Sequence, residues 1–166
     1  MSNRRTTTQI QSSAKTRLRA LLNRLTLAQP LVSVYEKFNN RQSLGARGER
    51  EAERYLLRLG YIIVASSYSD KNGELDLIAV DGETIVFVEV KTRRSDFAGE
   101  PAEAVDEQKQ RRITTTATRF LKWKGLTEYS SRFDVIAVTW PDDHKPPEIV
   151  HYQDAFEATG RFQMFS

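Results

Sequence analysis

The chain has 166 residues, 39% of them hydrophobic and 28% charged, with a formal net charge of +3 and no cysteine. That length allows one domain with its own core plus a modest appendage. The lack of cysteine excludes disulfides, thiolate chemistry and cysteine-ligated zinc, and it fits a reducing compartment, so a cytoplasmic location is expected. No run approaches the roughly 18 apolar residues of a transmembrane helix, so no membrane span is expected. His144 and His151 are the only imidazoles. Any metal is therefore expected on oxygen ligands, which points to Mg²⁺ or Mn²⁺.

Residues 1–40 are expected to form a basic, largely disordered arm, in which seven Lys and Arg face Glu36 alone, a surplus of six positive charges. The remaining residues must then net to −3. The basic character belongs to the arm, and net charge alone makes a weak case for nucleic-acid binding. "MSNRRTTTQIQSSAKTR" is polar and acid-free, as disordered segments are. Leu18, Leu21, Leu22 and Leu25 follow at helical spacing, which predicts a short amphipathic helix ending before Pro30. Three readings of the arm stand side by side: an electrostatic tail for a polyanion, an organelle transit peptide, and a helix that docks a partner or a membrane surface.

The main domain is expected over residues 41–166. "LGARGEREAERYLLRLG" reads as a helix stopped by Gly60. "YIIVASS", "ELDLIAV" and "TIVFVEV" read as strands, the last two joined at Asp81-Gly82, a strong hairpin signal. "PAEAVDEQKQRRITTTATRFLKWKG" starts with a Pro-led turn and becomes a helix from about Asp106 to Lys124. "RFDVIAVTW" is a nearly continuous apolar run, as expected of a strand covered on both faces. "EIVHY" is a weaker strand, and "DAFEATG" is expected as a last turn of helix. This order predicts an α/β layer fold with a mixed sheet flanked by helices.

"GELDLIAVDGETIVFVEVKTR" sets acids among strand-forming residues. With Asp81-Gly82 as a two-residue turn, Val80 pairs with Glu83 and Glu74 faces Glu89. Alternation then puts Glu74, Asp76, Phe87, Glu89 and Lys91 on one face. Leu75, Leu77, Val86, Val88 and Val90 occupy the other, a core face. A like-charge cluster on a sheet is destabilising unless something positive joins it. Lys91 supplies one charge, and a divalent cation would supply the rest. The competing view is a solvated strand face on which hydrated carboxylates are tolerated.

The first body helix adds an acid. At 100° per residue Glu49 falls on the inward stripe near Ala52 and Leu56, against the alternative of a helix-edge residue reaching water. Arg47, Arg50, Arg54 and Arg58 form an opposite stripe, read as a solvated face with ion pairs to Glu51. On the second helix Lys109, Arg111 and Arg112, and on the strand Arg93, are candidate phosphate contacts. The helix cations read equally well as polar first turns. Thr114, Thr115 and Thr116 suggest nothing.

An acid on a first helix, an Asp on a strand and E-x-K on the next strand resemble the PD-(D/E)xK nuclease pattern. More closely, "GARGEREAERYL", "GELDLIAVDG", "VFVEVKTR" and "KQRRITTTATRFL" resemble the YraN-like family of predicted endonucleases, over roughly Leu44 to Tyr152. The resemblance implies a restriction-endonuclease-like three-layer fold around a central mixed sheet. It matches Glu49 to the helix acid, Asp76 to the first strand ligand, Glu89 and Lys91 to the E-x-K pair, and Gly73 and Glu74 to the G-E-x-D element. Leu75 stands where the superfamily usually has proline. The basic arm lies outside the resemblance.

Phosphodiester hydrolysis needs an activated water, an oxygen-held metal and charge stabilisation on the leaving oxygen. Asp76 and Glu89 are expected to hold Mg²⁺ (or Mn²⁺), with the Val90 carbonyl as a third ligand. Glu49 and Glu74 are expected to bind a water or a second ion, and Lys91 to orient or deprotonate the attacking water. The expectation is a metal-dependent endonuclease acting on nucleic acid, DNA first, including branched or damaged DNA, as a monomer or homodimer. A non-catalytic nucleic-acid-binding module on the same fold is the alternative, and a scaffold protein docking through the basic leucine helix is a third reading.

Overall fold

The structure is a computed structural model, and it describes residues 16–25, 43–71, 73–94, 105–142 and 144–159. The expected disorder of the first residues, the helix stop before Pro30 and the Pro-led turn at Pro101 lie outside these. The elements are α1 (16–25), α2 (Leu44–Arg58), β1 (Ile62–Asp70), β2 (Gly73–Asp81), β3 (Thr84–Arg94), α3 (Glu107–Lys124), β4 (Ser131–Trp140) and β5 (Glu148–Phe156).

Local chemistry sets the helix limits. Ser43 Oγ accepts from the Ala46 N–H and opens α2, and Asp106 Oδ1 accepts from the Lys109 N–H and opens α3. Gly125, at φ 63, closes α3 in the left-handed conformation that glycine takes without strain.

The five strands lie in the order β1-β2-β3-β4-β5. Neighbours are antiparallel except β3 and β4, which run parallel from Ile85↔Ser131 to Arg94↔Trp140. A parallel pair needs a crossover, and α3 makes it. The sheet is mixed, as the element order predicted, and among the described residues three helices flank it, which is the α/β three-layer arrangement that the resemblance implied.

Each face of the sheet has its own core. Ile78, Val80, Ile85 and Phe87 pack with Ile113, Ala117 and Phe120 of α3 and with Leu21 and Leu25 of α1. Leu77, Ala79, Val86, Val88 and Ile136 pack with Ala52 and Leu56 of α2. The expected division into one core face and one polar face is therefore corrected: both faces are apolar along most of the hairpin. Leu75 also changes sides, joining Tyr68 in the α3-side core rather than Leu77. The change falls opposite Ser67, whose φ of 55 interrupts the regular alternation of β1.

Two further expectations are corrected. The hairpin pairs Val80 with Ile85 and Asp81 with Thr84, so the turn is Gly82-Glu83 and not Asp81-Gly82. Gly82, at φ 60, takes the first central position, where the tight turn demands a left-handed residue. Asp81 is kept in the strand, its carboxylate 3.1 Å from the Arg132 guanidinium. "DAFEATG" does not begin a helix. Asp154, Ala155 and Phe156 continue β5, because Phe156 stacks on Phe133 at 5.0 Å and the Asp154 N–H donates to buried Asp134.

Helix α1 is built into the body. Leu21 and Leu25 are buried, the Arg24 guanidinium donates to the Gly125 carbonyl at 2.7 Å, and Lys124 Nζ donates to the Leu25 carbonyl at 3.0 Å. Leu21→Ala is therefore expected to lower stability by about 2–4 kcal/mol. Urea unfolding followed by tryptophan fluorescence checks this, and a loss under about 0.5 kcal/mol would mean that α1 is detached in solution.

Candidate active site

The site lies where β2 and β3 part. Their pairing stops at Leu77↔Val88. Beyond it the Val90 N–H donates to Asp76 Oδ2 at 2.7 Å, so a carboxylate takes the place of a backbone partner. Strand β3 stays paired to β4 through Glu89, Val90 and Lys91, and this holds that stretch straight while β2 leaves it. The corrected register also moves the acids. Asp76, and not Glu74, stands level with Glu89, and Glu74 is exposed in the outer pair Ser69↔Glu74. A shift of two residues preserves side-chain parity, so Glu89 and Lys91 remain on the face that Phe87 shares.

Glu89 is 4% exposed. Its Oε1 is 2.9 Å from Lys91 Nζ and 3.3 Å from Lys109 Nζ. Its Oε2 is buried and has no hydrogen-bond partner. Lys109, expected among the phosphate contacts, thus reaches the centre of the site from the first turn of α3. Burial first, and then the Glu89 charge, push the Asp76 carboxyl up to about 7, against the Val90 N–H and Lys109, which pull it down; Glu49 adds a further upward push.

Glu49 arrives from α2, half-buried, with Oε2 accepting from Ser67 Oγ at 3.0 Å. One helical turn on, Glu53 Oε2 accepts from Ser66 Oγ at 3.1 Å. Successive strand side chains normally point to opposite faces, and the left-handed Ser67 lets both hydroxyls meet the same helix. Gly48 sets the approach: a Cβ there would lie 1.9 Å from Thr92 Oγ1, so only glycine lets α2 come this close to β3.

The outer cations divide. Arg111 pairs with Glu107 at 3.1 Å on the exposed side of α3. Arg112 is exposed, and its β-carbon lies near Gly73, whose own closeness to Thr116 leaves little room for a side chain. Arg93 lies two residues beyond Lys91, paired with Thr139 of β4. In the α2 arginine stripe, Arg54 pairs with Glu51 at 2.6 Å as expected, while Arg47 lies over the Trp140 ring at 4.7 Å.

Among the described residues no three His, Asp or Glu side chains gather as a ready ligand group for a metal ion. The donor set is smaller: Asp76 and Glu89 with its orphaned oxygen, with the Glu49 charge acting on Asp76 from α2. That set fits a hard cation of the magnesium type, which uses one or two carboxylates and fills its shell with water and substrate oxygens.

Sequence reasoning missed Ser67, which has no distinguishing pattern. It also missed a buried network around Asp134 of β4, next to Val135, the strand partner of Glu89. Asp134, fully buried, accepts from Arg132 and the Asp154 N–H on one oxygen and from Arg132 and His151 on the other. Burial alone would raise its carboxyl, but these bonds outweigh burial and hold it below the usual range.

These features define a three-layer α/β protein with an acid–lysine cluster at the parting of a central hairpin. The sequence profile described as "Uncharacterised protein family UPF0102" matches residues 48–138. The chain belongs to this family, the YraN-like one. It is 50% identical to a UPF0102 protein of Rhodopirellula baltica over 120 residues, covering 70% of this chain and 72% of that one. It is 48% identical to a relative from Geotalea uraniireducens over 116 residues, 70% of this chain and 91% of the other. For Geobacter sulfurreducens the figures are 45% over 126 residues, 75% and 96%.

The raised Asp76 carboxyl has a consequence for stability. The fold keeps this proton up to about pH 7, whereas the unfolded chain releases it near 3.8. The metal-free protein should therefore lose stability as pH rises across that interval, by on the order of 2–4 kcal/mol from this group. Asp76→Asn should remove that loss, making the variant more stable than wild type at pH 8 and about equal to it at pH 4. Chemical denaturation in EDTA at both pH values measures this; equal differences at the two would contradict it.

Proposed function

We propose that this chain is a divalent-cation-dependent endonuclease hydrolysing phosphodiester bonds in DNA. The observation that carries the reading is Glu89: a buried carboxylate with two lysines on one oxygen and none on the other, beside the half-buried carboxyl of Asp76. A purely structural ion pair would gain from satisfying both oxygens. One free acceptor between Asp76 and two ammonium groups suits an arriving cation and an arriving anion together.

Asp76 and Glu89 would hold Mg²⁺ or Mn²⁺, which when bound polarises the phosphoryl group and lowers the pKa of a coordinated water. The chain's own residues do the rest. The Val90 N–H fixes one Asp76 oxygen, so the carboxylate does not need to search for its orientation. Glu49, aligned by Ser67, accepts a hydrogen bond from a water at the site's α2 side. Lys91, held by Glu89 Oε1, presents its ammonium to the charge that builds on the phosphate. Lys109, Arg112 and Arg93 favour the approach of a polyanion, with an affinity that falls as salt rises.

The second reading, a non-catalytic nucleic-acid-binding module, draws on the same two lysines, which already offset Glu89 without an ion. Cleavage separates the two. Linear, nicked, flapped and four-way DNA incubated in Mg²⁺ or Mn²⁺ should be cut by wild type and spared in EDTA. Asp76→Asn and Lys91→Ala should each slow cutting by about 100-fold or more while still binding DNA. Equal cutting by all three proteins would identify a contaminant and end the nuclease reading. Salt-sensitive binding without cutting would establish the second reading.

A further inference from the structure

We propose that Lys109 does the work of a second metal ion, so that the site takes a single divalent cation with one phosphodiester; this deepens the nuclease reading and rests on it. The argument is one of charge and position. Two carboxylates, Asp76 and Glu89, stand level at the parting of the strands, and the Glu49 charge reaches Asp76 from α2. Two ammonium groups, Lys91 and Lys109, share Glu89 Oε1. With Asp76 ionised, as holding a cation would require, the cluster carries one net negative charge. One divalent cation turns it singly positive, which one phosphodiester anion balances. A second divalent cation would leave an excess of two positive charges in a site whose main carboxylate is buried, where uncompensated charge is costly.

Ligand supply gives the same answer. Two-metal sites bridge ions about 3.5–4 Å apart and need carboxylates for both. Here Glu89 has one open oxygen, Asp76 has one engaged by Val90, and Glu49 is engaged by Ser67. Lys109 is 27% exposed while its ammonium touches Glu89, so it spans the distance from the buried acid to the opening. Its backbone N–H is fixed by the Asp106 cap, which anchors the base of that reach. A cation held by Glu89 would repel the Lys109 ammonium from that carboxylate and leave it to pair with a phosphate oxygen instead.

The test is a Mn²⁺ titration of the full chain, followed by the EPR signal of free Mn²⁺. Wild type should bind one ion per chain. Lys109→Ala and Lys109→Gln should still bind one, about tenfold more tightly because a neighbouring positive charge is gone, yet cut DNA at least tenfold more slowly. Damage to the fold would weaken binding and cutting together. Two ions per wild-type chain, or weaker Mn²⁺ binding by both variants, would overturn the proposal and leave the nuclease reading in place. No bound ion would overturn both. One bound ion, tightened in the variants, without cutting by wild type would remove the nuclease reading and leave the single-ion assignment standing.

Discussion

The hydrogen bond from the Val90 N–H to the Asp76 carboxylate is the constraint on which the site depends. A backbone donor inside a sheet has to be satisfied, and the expected partner is a carbonyl on the neighbouring strand. Once a side chain supplies it, β2 is free to leave β3 without orphaning the amide. The gap this opens is where Glu89 meets Lys91 and Lys109. The arrangement carries a cost, since Asp76 stands half-buried beside Glu89 and keeps its proton to about pH 7. Under the proposed function, an arriving cation would relieve that cost.

Comparison with Asp134 separates this cluster from the protein's structural charges. Asp134 and Glu89 lie on adjacent strands, and both are almost inaccessible. Every Asp134 oxygen is bonded, and the donors include a guanidinium that also reaches Asp81 and Tyr61. That network joins β4 to the hairpin turn and to β5, and it asks for nothing more. Glu89 is bonded on one oxygen only. In a low-dielectric interior a half-satisfied carboxylate is the less stable choice, and its persistence points to a ligand rather than to the fold.

The sequence made the layer arrangement, most elements and the convergence of Glu89 and Lys91 legible, because alternation and capping residues act locally. The shared face of Phe87, Glu89 and Lys91 survived a wrong register, since the turn moved by one residue and the pairing by two, whereas Leu75 did not keep its face. What stayed hidden depended on contacts between distant segments. The left-handed Ser67 diverts Leu75 to the other core and turns its own hydroxyl to Glu49, yet nothing around Ser67 resembles a turn signal. Asp154 continues a strand because Asp134, 20 residues earlier, accepts its N–H. Lys109 looked like one of several first-turn cations, and only the crossover of α3 distinguishes it from exposed Arg111. Helix α1 was visible as an amphipathic segment, but not the core face that Leu21 and Leu25 fill.

The layered fold also explains why the site draws on opposite helices. Glu49 comes from α2, which packs on one face of the sheet, and Lys109 from α3, which packs on the other. Within a continuous sheet, side chains from the two layers cannot meet, because the paired backbone lies between them. They can meet only where pairing lapses. The parting of β2 and β3 provides that place, Gly48 brings α2 close enough to use it, and the Asp106 cap starts α3 at the height of Glu89. An acid from one layer and an ammonium from the other therefore flank the same two strand carboxylates. On the proposed nuclease reading, a substrate entering this gap would meet both helices together, whereas either helix face alone would offer it only one side of the cluster.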